Sequence, residues 1–234
     1  MADEEQPQSA PPKKSQTWMV IVIGVLGFLC MLVVVIGAAM VGDRSGPGSG
    51  SGRASLPPGV SATAPQVPKN GHVFPLERTT GFSNTWLADR CGGTGSGRPH
   101  AHGGIDIMHH KNDKVPDYAV VDGKIFKASG SSIWLASLNP DDQYTYYYTH
   151  LSSVLVSRGD TVKVGQLIAF SAGYSGGAQG DHTHFGMMTC PNSPVEVPFS
   201  GGKTCSTVSM AEREQIAAST TCLVNPYPTL VGWR

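Results

Sequence analysis

Charge of one sign in excess is missing from this chain of 234 residues: Lys and Arg total 17, Asp and Glu total 17, and charged residues make up only 15%. That balance removes the ground for expecting nucleic-acid binding or a general attraction to acidic lipid. No two cysteines stand at a CxxC spacing, which excludes a zinc site of that kind. No HExxH helix supplies a glutamate base. No internal repeat occurs beyond strands of similar length. Leu29 rather than a small residue precedes Cys30, so a bacterial lipoprotein cleavage site is excluded and Cys30 reads as an apolar residue.

What is present begins with "WMVIVIGVLGFLCMLVVVIGAAMV", Trp18 to Val41, which holds no charge. It exceeds the roughly 20 residues that a bilayer-spanning helix needs. It is too long for the apolar core of a cleaved signal peptide, and no clear small-residue cleavage site follows. The run predicts a transmembrane helix over 18–41. Lys13 and Lys14 precede it while Asp43 and Arg44 follow it, which orients the N-terminus toward the cytoplasm. The expectation is a single-pass membrane protein with a polar cytoplasmic stub over 1–17 and the rest of the chain extracytoplasmic. Residues 42–70 are rich in glycine, serine and proline and read as a flexible linker that holds a folded domain away from the bilayer. Cys91, Cys190, Cys205 and Cys222 all lie beyond the span. Four cysteines in an exported domain suggest up to two disulfides, with three connectivities open.

With 29 glycines and 17 prolines the chain favours turns and short strands over long helices. From about His72 onward, apolar alternations are separated by turn signals. "YAVVDGKIFKAS" reads as a hairpin about Asp122-Gly123, and "SSIWLASL", "DQYTYYYTHL", "DTVKVGQLIAF" and "DHTHFGMM" continue the pattern. The prediction is a mostly β, antiparallel domain. One short C-terminal helix is expected in "SMAEREQIAAS", with Ser209 as N-cap and Glu212 three residues later.

His182 and His184, at i and i+2 on an extended chain, point to one face. A hydrolytic zinc site takes three protein ligands and leaves one position for water. Upstream, "RPHAHGGIDIMHH" holds His102 and Asp106 in an HxxxD pattern, where two glycines and Ile105 disfavour a helix. Extended residues at i and i+4 also share a face, so this pair can meet a histidine of HTH on a neighbouring strand. His109 and Asp113 repeat the pattern in the polar stretch "HHKND" and read as an exposed loop. His100 and His110 read as solvated, and His72 carries no signal.

In order along the chain, "GRPHAHGGIDI", "YYYTHLSSVLVSRGDTVKVGQLIAFSAGYSGG" and "GDHTHFGM" resemble the M23 family of zinc metallopeptidases, the LytM-type or lysostaphin-type endopeptidases. The likeness runs from about Phe74 to Met188. It implies an antiparallel LytM-like fold over 71–190, one Zn2+ per chain bound by His102, Asp106 and His184, and catalytic assistance from His150 and His182. Which of those two acts as base stays open. It implies peptide bonds of bacterial peptidoglycan as substrate, and the span and orientation read above would place the domain that cuts them outside the cytoplasmic membrane, in the periplasm or in a virion membrane. The expected role is local wall opening or remodelling, with an envelope-spanning secretion or conjugation machine or a membrane-containing phage as the assembly served. A non-catalytic LytM-like regulator of another wall hydrolase is the alternative. Three departures from the family pattern are Asp181 in place of a common proline, Thr183 in place of an apolar residue, and no glutamate after Phe185. The cysteine-bearing extension over 191–234 lies outside the resemblance.

Overall fold

The computed structural model describes residues 56, 60–64, 66, 68–91, 99–171, 173 and 180–234. The expected cytoplasmic stub, the span over 18–41, Cys30 and much of the linker lie outside the described residues. Among the described residues, no helix is long and apolar enough to cross a membrane. The last part of the expected linker packs on the folded domain. Ala64 donates its N–H to the carbonyl of Gly165, and Leu167 donates to that of Ala62.

Thirteen strands and two short helices make up the described architecture, and every strand pair is antiparallel. The strands are β1 (Gly81–Phe82), β2 (His100–Ala101), β3 (Ile105–Met108), β4 (Val115–Tyr118), β5 (Gly123–Ser129), β6 (Ser132–Ser137) and β7 (Thr145–Thr149). They continue with β8 (Leu151–Val154), β9 (Thr161–Val162), β10 (Leu167–Ser171), β11 (His182–Met188), β12 (Val197–Pro198) and β13 (Leu223–Val224). The main sheet runs β1-β3-β11-β7-β6-β5-β9, with β13 on the far end of β11. A second sheet, β4-β10-β8, and a two-stranded ribbon, β12-β2, complete the set. The mostly β, antiparallel expectation therefore holds.

Alternation along the central strands divides the main sheet into two faces. Phe185, Met187, Tyr146, Tyr148, Ile105, Ile107, Ile133 and Leu135 all join one large buried cluster, together with residues of the second sheet. The opposite face carries His182 and His184. Further along β11 it carries Tyr147 and Met188, covered by Leu87, Ala101, Val197, Ala217 and Leu223. Thus one end of that face is the site and the other end is a small core built largely by the C-terminal extension.

Two elements differ from the sequence reading. The Asp122-Gly123 hairpin does not form: β4 pairs with β10, while β5 pairs with β6 and β9. Asp122 instead accepts from the N–H of Val164 and from Lys163 Nζ, tying this turn to the β9–β10 connection. The tight hairpin lies one strand later, at Gly130 with φ +56° between β5 and β6. The expected helix is present as α1 (Met210–Thr220), and Ser209 accepts from Glu212 N as its N-cap. A second helix, α2 (Tyr227–Trp233), begins after Pro226; its seven residues are too few for helical periodicity to reveal. Trp233 of α2 stacks on His72, whose Nε2 lies 2.9 Å from Asp142, so that histidine closes the fold.

The four cysteines pair as Cys91–Cys205 and Cys190–Cys222, closing 114 and 32 residues. In the chain-entropy picture such loops stabilise by roughly 5 and 4 kcal/mol. Both bonds fasten the C-terminal extension to the β domain.

The core holds one carboxyl without a full set of partners. Asp117 on β4 is wholly buried; its Oδ1 accepts from Thr183 Oγ1 at 3.1 Å, and its Oδ2 has no partner among the described residues. Burial pushes its pKa up to about 7, against the opposing hydrogen bonds from Thr183 and Ser171. Because the folded value is raised above the unfolded one, the folded state holds the proton more tightly. Its contribution to stability is complete below the ordinary carboxylate range and is lost as pH rises through about 7. We expect Asp117→Asn to flatten the fall in melting temperature between pH 4 and pH 8, with a gain of at most about 4 kcal/mol at the alkaline end. Calorimetric scans across that range check it, and an unchanged slope would remove Asp117 as the cause.

Candidate metal centre

His100–Ala101 and Ile105–Met108 are one extended run broken at Gly103-Gly104. The break depends on the absence of side chains. A Cβ on Gly103 would lie 2.1 Å from the carbonyl oxygen of Val195, and one on Gly104 would lie 2.7 Å from His184 Nε2. The chain can therefore pass close to the ring of His184 and turn His102 back over Asp106.

The register of β3 on β11 sets His184 directly opposite Asp106 and His182 opposite Met108. His102 Nε2 lies 2.7 Å from His184 Nδ1 and 3.0 Å from Asp106 Oδ1. His184 Nδ1 and His182 Nε2 lie 3.6 and 3.5 Å from that same oxygen. His102 and His184 are buried, at 1% and 2% exposure. Among the described residues, His102, Asp106 and His184 form the one group of three with metal-ligand spacing.

Ring orientation follows from the outer hydrogen bonds. His102 Nδ1 stands 2.9 Å from the carbonyl of Thr85 and must donate to it, which leaves the Nε2 lone pair facing Asp106 and His184. His182 Nδ1 likewise donates to the carbonyl of Gly180 at 3.1 Å, leaving Nε2 as an acceptor on the site side. Thr85 also accepts from the backbone N–H of Asp106 through its hydroxyl.

Burial lowers the pKa of His102, ahead of the opposing pull of the Asp106 carboxylate beside it, and keeps the ring in the neutral, ligating form. Burial likewise lowers that of His182. For Asp106, burial works against the charge, but the rings of His102 and His184 packed against it hold the carboxyl well below the usual range. The result is an ionised carboxylate beside the neutral imidazole of His102, with His184 on its other side, a donor set suited to a cation. Ligands at about 2.0–2.1 Å from a tetrahedral zinc stand roughly 3.3 Å apart. The separations of 2.7, 3.0 and 3.6 Å bracket that value, so the residues fit zinc with shifts of a few tenths of an ångström.

His150 occupies the break between β7 and β8 with φ +67°, an uncommon backbone for a residue with a side chain. Its ring centroid lies 4.7 Å from that of His182 and 6.2 Å from that of His184. All five residues expected from the sequence thus come together at one end of the sheet. Beside Asp106 opens a cavity of about 290 Å³ lined by Thr80, Phe82, Ser83, Thr85 and Met108.

The second HxxxD does not assemble. His109 is buried rather than exposed, and its N–H donates to the carbonyl of Asp181, so the segment braces the start of β11. His110 is exposed as expected, whereas His100 is only 17% exposed and stands 4.0 Å from Glu196. Sequence reasoning missed Arg90, whose Nη2 lies 2.5 Å from Asp106 Oδ2. No spacing links position 90 to 106; the neighbouring Cys91 was the available clue, once its partner is known.

Residues 100–197 match Peptidase family M23. Over 146 residues, 61% of its length, the chain is 32% identical to an uncharacterized metalloprotease of Haemophilus influenzae, and over 92 residues, 38% of its length, it is 36% identical to the glycyl-glycine endopeptidase ALE-1 of Staphylococcus capitis. The matches span 30% and 25% of those relatives' own lengths. The catalytic domain of the antimicrobial peptidase lysostaphin from Staphylococcus simulans superposes with a TM-score of 0.41 at 24% identity, covering 64% of this chain and 92% of that one. The segment from His100 to Val197, which carries all five site residues, is therefore a domain of Peptidase family M23.

Proposed function

We propose that this chain is a membrane-anchored zinc metalloendopeptidase that hydrolyses peptide bonds in bacterial peptidoglycan. The observation that carries the reading is the meeting of His102, Asp106 and His184 within one buried cluster, with His150 and His182 against it. The match to Peptidase family M23 and the glycyl-glycine endopeptidase among the relatives support the substrate class.

His102 Nε2, His184 Nδ1 and Asp106 Oδ1 would hold the metal. When bound there, zinc supplies the Lewis acidity that polarises a scissile carbonyl and makes water a nucleophile near neutral pH. The chain's own residues do the rest. His182, its Nδ1–H committed to Gly180, offers Nε2 as the atom that accepts the proton from the attacking water. Its lowered pKa keeps that atom available at neutral pH. His150, held over His182 by its left-handed backbone, is placed to donate to the developing oxyanion. The cavity beside Asp106 receives the peptide flanking the scissile bond.

The apolar run over 18–41 anchors the enzyme with its catalytic domain outside the cytoplasm, and the linker limits digestion to wall within reach of the membrane. That arrangement suits local opening of the wall for an envelope-spanning machine or for a phage with a membrane. Disruption of the encoding gene should impair such an assembly process.

Two measurements test the reading. Purified full-length protein in detergent, stripped of metal, should release no amino groups from peptidoglycan and should do so once zinc is restored. No release despite stoichiometric zinc would favour a non-catalytic regulator. Among variants, His184→Ala should lose bound zinc and turnover together. His182→Ala and His150→Ala should retain zinc while turnover falls about 100-fold or more. Equal zinc loss in all three would contradict the division between ligands and proton-handling residues.

A further inference from the structure

The C-terminal extension and the segment Leu87–Cys91 are bound together in a way that a simple tail would not require. Arg213 on α1 is buried, at 7% exposure, and spends its donors on the 87–91 segment and on the extension itself. Its Nη1 donates to the carbonyl of Leu87 at 3.0 Å, Nη2 to that of Cys205 at 3.1 Å and Nε to that of Val208 at 3.1 Å, and it pairs with the carboxylate of Asp89. Leu87 has φ +59°, a costly backbone for a branched side chain, and its carbonyl is the group that Arg213 grips. Cys91 is bonded to Cys205. The extension thus holds both ends of a five-residue strap.

Between those ends stands Arg90. Its backbone N–H donates to the carbonyl of His100, and Leu87 N–H donates to that of His102, so the strap lies along the strand that carries a candidate ligand. Its guanidinium reaches back to Asp106 Oδ2 at 2.5 Å. The two oxygens of Asp106 are therefore used differently: Oδ2 is capped by Arg90, while Oδ1 alone is turned toward His102, His182 and His184. On the other edge of the same strand, Glu196 of the extension accepts from the N–H of Gly103 at 2.8 Å.

We propose that Arg90 is a positioning residue, fixed by the disulfide-stapled C-terminal extension, that keeps Asp106 a one-oxygen donor and so leaves a coordination position for water. The proposal rests on the zinc-site reading above. A carboxylate with both oxygens free can chelate a metal, adding a fifth donor beside the water and crowding the position that a hydrolytic site keeps open. A guanidinium on one oxygen prevents this, and it cannot lose its charge. The extension, which lies outside the matching family segment for most of its length, thereby acquires a role in the site.

The test uses full-length protein in which cobalt(II) replaces zinc, because its visible absorption reports coordination number without turnover. The wild-type protein should show the intense bands of a four-coordinate site, lost in His184→Ala. Arg90→Gln should still bind one cobalt, but its bands should fall by about half as a fifth ligand joins. With zinc restored, its kcat should drop about 10- to 100-fold with little change in KM. Arg90→Lys, which keeps a charge on Oδ2, should restore much of the intensity. Cys91→Ala with Cys205→Ala, checked for fold by circular dichroism, should reproduce the Arg90→Gln spectrum. An Arg90→Gln spectrum identical to wild type would overturn the positioning role, and a wild-type spectrum in the double cysteine variant would overturn the part given to the extension. Failure of wild-type protein to bind cobalt would instead strike the zinc-site reading itself.

Discussion

Antiparallel pairing of β3 with β11 places Asp106 and His184 side by side on the face away from the large core. Strand side chains alternate, so a slip of one residue would send His182 and His184 into the apolar interior and bring Phe185 and Thr183 to the site. The interior contacts resist such a slip: Phe185 packs against Tyr146, Tyr148 and Trp233, which only the observed register permits. Packing on one face of β11 thus fixes the geometry on the other. Phe185 and His184 are neighbours in sequence with opposite duties.

The site face is the less apolar side of the sheet, and the chain stabilises it from outside. Gly103-Gly104 lets the ligand strand approach His184, Thr85 orients both His102 and the backbone of Asp106, and Glu196 holds the turn between them. Two disulfides and the buried Arg213 then fasten the extension that supplies Glu196. A short β domain with buried, like-natured imidazoles needs such bracing, because each histidine loses hydration and gains only a few specific partners. Asp117, on the reverse side of β11 beneath Thr183, is a comparable polar intrusion with an incomplete set of partners.

Much of this was legible in the sequence where the signal was periodic or chemical. The i, i+2 spacing of His182 and His184, the glycine-broken HxxxD and the β alternation of Tyr146 to Tyr148 each have a direct physical reading, and the structure bears these out as geometry. The turn at Asp122-Gly123 misled because the same dipeptide can start a strand, and Asp122 found its partners across the fold rather than along it. His109 misled because a polar neighbourhood in sequence was covered by Asp181 in space. Arg90, Glu196 and Arg213 act through partners 16, 93 and 126 residues away, and no local pattern encodes such pairings.

The central claim is that two imidazoles and one carboxylate hold a single zinc. X-ray absorption at the zinc edge of the metal-loaded protein measures this most directly. The account predicts one zinc per chain with two imidazole nitrogens and the remainder oxygen, all at about 2.0–2.2 Å. A first shell containing sulfur or a third imidazole, or substoichiometric zinc in excess metal, would contradict it.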